Sequence, residues 1–74
     1  MNEFYKLKTY SSNQEKIIEK KQLIELELKL NKTVFSNKWS YIGDKLYDCY
    51  ATDDPGPIYV DDIQFAYLMN LLEN

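Results

Sequence analysis

Seventy-four residues with a net charge of −3, no histidine, no arginine and one cysteine exclude several kinds of protein at once. A chain this short buries only about 60% of the surface its unfolded form exposes, so residues 1–74 make one small domain, without an internal disulfide, a zinc site built from Cys and His or a bidentate guanidinium fork for phosphate. Its core supplies on the order of 3–5 kcal/mol, which leaves oligomerisation, a partner or a core dense in aromatics as the source of further stability.

Seven tyrosines, three phenylalanines and one tryptophan favour the last two, and 45% apolar content with few glycines and prolines reads as globular. The opening MNEFYKLKTY has no apolar h-region of a signal peptide. The longest apolar run, Phe65–Met69, is far too short to span a bilayer. Together with a lone thiol, these features predict a soluble cytoplasmic protein with no membrane contact.

In chain order, Tyr5, Leu7 and Thr9 alternate with Lys6 and Lys8, the period of a short strand; a flexible arm over residues 1–11 is the alternative. Ser12 with Glu15 has the spacing of a capping box, and good helix formers follow to Leu30, predicting an amphipathic helix over 12–30 that stops at Asn31. Ile17, Ile24 and Leu28 then lie on one side, and Leu23, Leu26 and Leu30 on the other. A helix with two apolar sides needs two partners, one of which can be a second copy. Residues 22–30 also alternate as a strand would, so a helix to about residue 21 followed by a strand stays open.

The segment 38–51, WSYIGDKLYDCYA within it, predicts an aromatic hairpin turning at Gly43-Asp44-Lys45. Trp39 would face Cys49, and Trp39, Tyr41, Tyr47 and Cys49 would share a side. A two-residue Gly-Asp turn is the other register. Asp54-Pro55-Gly56-Pro57 fits a type II turn, Ile58–Val60 a strand of three residues, and Asp61 or Asp62 caps a helix running to about Leu72. In that helix Ile63, Tyr67 and Leu71 make one stripe, and Phe65, Leu68, Met69 and Leu72 a second. The fold class is α+β: N-terminal helix, antiparallel hairpin with a short extra strand, C-terminal helix.

Charge is uneven. Residues 1–40 carry eight lysines and five acids, whereas residues 41–74 carry one lysine and seven acids. Nucleophilic catalysis lacks a histidine base, and there is no Gly-rich phosphate loop, so no enzyme, cofactor or metal is expected. Pro55-Gly56-Pro57 interrupts the aspartates where a calcium loop wants alternating ligands. What remains is an acidic, tyrosine-studded recognition edge: Asp44, Tyr47, Asp48, Tyr50, Asp53, Asp54, Tyr59, Asp61 and Asp62. Tyrosine offers contact area at low entropy cost, and spaced carboxylates steer toward a basic groove.

The expected partner is therefore a protein, one with a basic nucleic-acid-binding groove, alongside a homodimer through the two-sided helices. The rival reading is a nucleic-acid-associated regulator that uses the N-terminal lysines (6, 8, 16, 20, 21, 29, 32, 38) with Phe4, Tyr5, Tyr10, Phe35 and Trp39. In overall composition the chain resembles the short proteins, rich in lysine, asparagine, isoleucine and tyrosine, of AT-rich phages and mobile elements. That resemblance implies a small inhibitor that blocks a host or defence protein.

Overall fold

A computed structural model describes residues 3–32, 37–54 and 56–73. Phe35 and Pro55 lie outside the described residues, as do the side chains of Lys32, Lys38 and Trp39, and with them the pairing expected of Trp39. The chain is a small α+β fold of a mixed three-stranded sheet and three helices, in the order β1 (Phe4–Thr9), β2 (Glu15–Glu19), α1 (Lys20–Lys32), α2 (Asn37–Ala51), β3 (Ile58–Val60) and α3 (Asp62–Glu73).

β1 is the centre of the sheet, antiparallel to β2 and parallel to β3. Its alternation is the expected one. Tyr5, Leu7 and Thr9 are buried, while Phe4, Lys6 and Lys8 face the other way. The register puts Tyr5 opposite Ile18, Leu7 opposite Ile58 and Thr9 opposite Val60 on the buried side. Lys6 opposite Ile17, and Lys8 between Glu15 and Tyr59, fall on the other. The buried side meets Leu23, Leu26 and Leu30 of α1, Ile42, Leu46 and Cys49 of α2, and Phe65 and Leu68 of α3 in one apolar cluster. Among the described residues no element packs on the opposite side of the sheet, where Phe4 is 61%, Ile17 52% and Tyr59 41% exposed.

The predicted helix over 12–30 is corrected in its first third. Glu15–Glu19 is a strand, and the helix begins only at Lys20. The strand and helix do share this stretch, but in the reverse order to the alternative kept open. Ladder bonds to β1 and the stiff pair Ile17-Ile18 outweigh the helix preference of Glu15 and Lys16. Ser12 does not cap a helix. Its hydroxyl donates to the Asp62 carboxylate at 2.8 Å, shares a 2.7 Å bond with Thr9 Oγ1 and accepts from Gln14. At the true start of α1, Gln22 Oε1 accepts the Glu19 N–H at 3.0 Å. The core side of α1 is Leu23, Leu26 and Leu30, whereas Leu28 on the other is 51% exposed.

The hairpin expected over 38–51 is also corrected: Asn37–Ala51 is helix α2. Ile42, Leu46 and Cys49 recur at helical spacing and are all buried, with Gly43 beside them. Gly43 makes no turn; it faces α1, where an added Cβ would stand 3.9 Å from Leu30 Cβ and 3.5 Å from Asn31 Oδ1.

β3 and α3 stand where expected. Gly56 has φ +80°, the conformation that the second central position of a type II turn demands. Asp61 caps α3 through a complete capping box: Gln64 N–H donates to Asp61 Oδ1 at 2.7 Å, and Asp61 N–H donates to Gln64 Oε1 at 2.9 Å. Of the two stripes expected on α3, Phe65 and Leu68 are buried while Ile63 is 69% exposed.

Candidate functional site

A helix, unlike a hairpin, brings residues three and four apart onto one side. In α2 this gathers Asp44, Tyr47 and Asp48 on the outer surface; all three are exposed. Tyr47 meets Tyr50 edge to face, ring centroids 5.3 Å apart. Tyr50 itself turns inward, and its hydroxyl donates to Glu27 Oε1 of α1 at 2.9 Å. Burial, then that bond to a carboxylate, pushes its phenol up to about 12. Tyr50 is thus a strut between α1 and α2, not part of the outer surface.

The end of α2 is built around Asp53. Asp54 N–H donates to Cys49 O across the last turn at 3.0 Å, and Asp53 holds φ 56°, the left-handed conformation usual for glycine after a helix. The Tyr5 hydroxyl donates to Asp53 Oδ1 at 3.4 Å, tying β1 to the helix end. Burial first, and the Asp53 charge second, hold the Tyr5 phenol above its ordinary value. Asp54 folds back on the turn that follows, its carboxylate accepting the Gly56 N–H at 3.1 Å.

Between α2 and residues 54 and 56–59 lies a groove of about 380 Å³. Asp48, Cys49 and Thr52 line one wall, and Asp54, Ile58 and Tyr59 the other, with Tyr10 and Lys45 at one end. Tyr10 and Tyr59 stack, centroids 5.6 Å apart and planes at 17°. The Lys45 ammonium donates to Tyr59 O at 3.0 Å and Tyr10 Oη at 3.4 Å, and lies 5.9 Å and 5.7 Å from the ring centres of Tyr10 and Tyr41. The Cys49 thiol donates to Asp54 O at 2.9 Å. Burial, and then the charge of Asp54, push it up to about 11, so it stays a protonated thiol rather than a nucleophile at neutral pH.

The electrostatics of this end are one-sided. The last turn of α2 holds no basic residue. Asp48 sits in it and Asp53 and Asp54 follow, where the helix dipole is already negative. Asp44 and Asp48 add a like-charged pair at i,i+4.

Of the nine expected site residues, Asp44, Tyr47, Asp48, Asp53, Asp54 and Tyr59 cluster about α2 and the groove. Asp61 and Asp62 lie past the far end of β3, where Asp61 caps α3 and Asp62 accepts from Ser12. Among the described residues no three of His, Cys, Asp and Glu stand close enough to hold a metal ion. Nor is any described helix long and apolar enough to cross a membrane.

Tyr10 was expected only in the rival nucleic-acid reading, and sequence reasoning missed Lys45, Cys49 and Thr52 as site residues. These three recur with Asp48 at 45, 48, 49 and 52, a helical repeat invisible in a segment read as two strands. No family model, curated protein or solved structure matches the chain.

Proposed function

We propose that the chain is a non-catalytic protein-binding module that engages a basic surface through the acidic, tyrosine-bearing end of α2. The observation that carries this reading is the placement of Asp48, Asp53 and Asp54 at the negative pole of a helix with no basic residue in its last turn. Carboxylates there weaken the helix by about 0.3–1 kcal/mol each. Asp53 and Asp54 also brace the fold, through the Tyr5 hydroxyl and the Gly56 N–H; the exposed Asp48 is the part of that charge best spared for contact. Exposed Tyr47 and Tyr59 supply contact area beside them. A partner with a basic nucleic-acid groove is the complementary shape and charge. The compositional resemblance to phage and mobile-element proteins makes that partner a host or defence protein, and the lone thiol makes the compartment the cytoplasm.

Capture from a bacterial lysate tests it. The intact chain retains a specific protein, and Asp48→Lys/Asp54→Lys does not. Equal retention by both, or by neither, contradicts the reading.

A second reading draws on the uncovered side of the sheet, where Phe4, Lys6, Lys8 and Tyr59 combine rings with cations in the manner of a single-strand platform. Glu15 lies 3.8 Å from Lys6 and 3.9 Å from Lys8, which offsets much of that charge. A salt-dependent gel shift of single-stranded DNA, lost in Lys6→Gln/Lys8→Gln, would favour it over the acidic site. A homodimer would use the exposed Leu28 and Ile63 of α1 and α3. Light scattering that returns 8.8 kDa removes it.

A further inference from the structure

We infer that the groove between α2 and residues 54 and 56–59 seats a single arginine or lysine side chain of the partner, which acts as the anchor of the interface. The inference rests on the protein-binding reading above and assigns the residue chemistry that reading leaves open.

At about 380 Å³ the groove is at the small end of ligand sites, which run from roughly 300 to 1,000 Å³. Two carboxylates, Asp48 and Asp54, stand in its lining, and the carbonyl end of α2 adds partial negative charge. Tyr59, stacked on Tyr10, closes the end of the groove where Lys45 sits. Ile58 gives the methylene stem of a long basic side chain apolar wall to lie on.

Lys45 shows the chemistry at work within the chain. Its ammonium already rests on a carbonyl, a phenol oxygen and two ring faces at one end of the groove. That leaves the two carboxylates further along as the complement for a second cation. An anionic or purely apolar side chain would leave both of them uncompensated against a dry partner surface, which is costly.

The test is a titration of the ¹⁵N-labelled full chain with an acetylated, amidated tetra-arginine peptide. Saturable amide shifts are expected at Lys45, Cys49, Thr52, Gly56 and Tyr59. Thr52→Phe, which fills the mouth of the groove without removing a charge, is expected to weaken binding about tenfold or more. Asp44→Asn, outside the groove, is expected to change it about twofold or less. Should Thr52→Phe fold poorly, Asp54→Asn serves, because the amide oxygen still accepts the Gly56 N–H; a loss of about fivefold is expected.

Saturable shifts confined to Asp44 and Tyr47, with full binding by Thr52→Phe, overturn the anchor and leave the protein-binding reading standing. Absence of saturable shifts at millimolar peptide also overturns the anchor, and lysate capture then decides the protein-binding reading by itself.

Discussion

Asp53 occupies a left-handed backbone position, φ 56°, that costs a residue with a Cβ some stability. It also puts a carboxylate at the negative end of α2 while accepting the Tyr5 hydroxyl. Asn keeps the acceptor oxygen and tolerates the same conformation, so Asp53→Asn is expected to stabilise the chain by about 0.3–1 kcal/mol. A lower urea midpoint would mean that the charge itself holds Tyr5. Gly43 is the converse case. Mid-helix glycine costs roughly 0.5–1 kcal/mol relative to alanine, and the room at Gly43 is ordinary contact distance, 3.5 Å and 3.9 Å. Gly43→Ala should therefore raise the midpoint by that amount; a fall would mean that α1 and α2 pack closer than these distances. This glycine, followed by Asp44, is also what makes the segment read as a turn from sequence, since both residues favour turns.

At the level of elements, β1, β3 and α3 were legible because each carries its own signal. Alternation marks β1, the Pro-Gly turn introduces β3, and an aspartate precedes the apolar run of α3. β2 was not, because Glu15 and Lys16 prefer helix and only pairing with β1 decides otherwise. α2 was not, because its aromatic residues suit either state; the repeat of Ile42, Leu46 and Cys49 settles it. The site shared that fate. Its carboxylates were visible as residues, but Asp44, Tyr47 and Asp48 form a surface only on a helix.

The packing can be checked directly. Leu46 is fully buried and Leu28 is 51% exposed. Leu46→Ala is expected to cost about 2–5 kcal/mol, enough to unfold so small a domain. Leu28→Ala is expected to cost about 0.5 kcal/mol or less. Similar losses for both would contradict the helical registers of α1 and α2.

Three buried or half-buried groups join the elements: Tyr5 to the end of α2, Cys49 to Asp54, and Tyr50 to α1. All three ionise at higher pH in the folded chain, Cys49 at about 11 and Tyr50 at about 12. The unfolded chain therefore gives up these protons first. The stability they contribute is fully present below about pH 8, under the ordinary thiol and phenol values, and is lost as pH rises through the folded values. A urea midpoint that falls between about pH 8 and about pH 11 is expected; one that stays level contradicts the burial of these groups.

The whole molecule divides its labour. Helices and one side of the sheet make the core, while negative charge collects at one end of α2. In the reading proposed above, these carboxylates serve contact with a basic partner beyond their bonds to Tyr5 and Gly56. The direct measurement is capture of the lysate partner by Asp44→Asn/Asp48→Asn/Asp54→Asn, with its urea midpoint taken alongside. Removing like charges from the negative end of a helix is expected to leave the midpoint equal or higher, and capture is expected to be lost. Capture at the level of the intact chain, or a variant too unstable to fold, would contradict it.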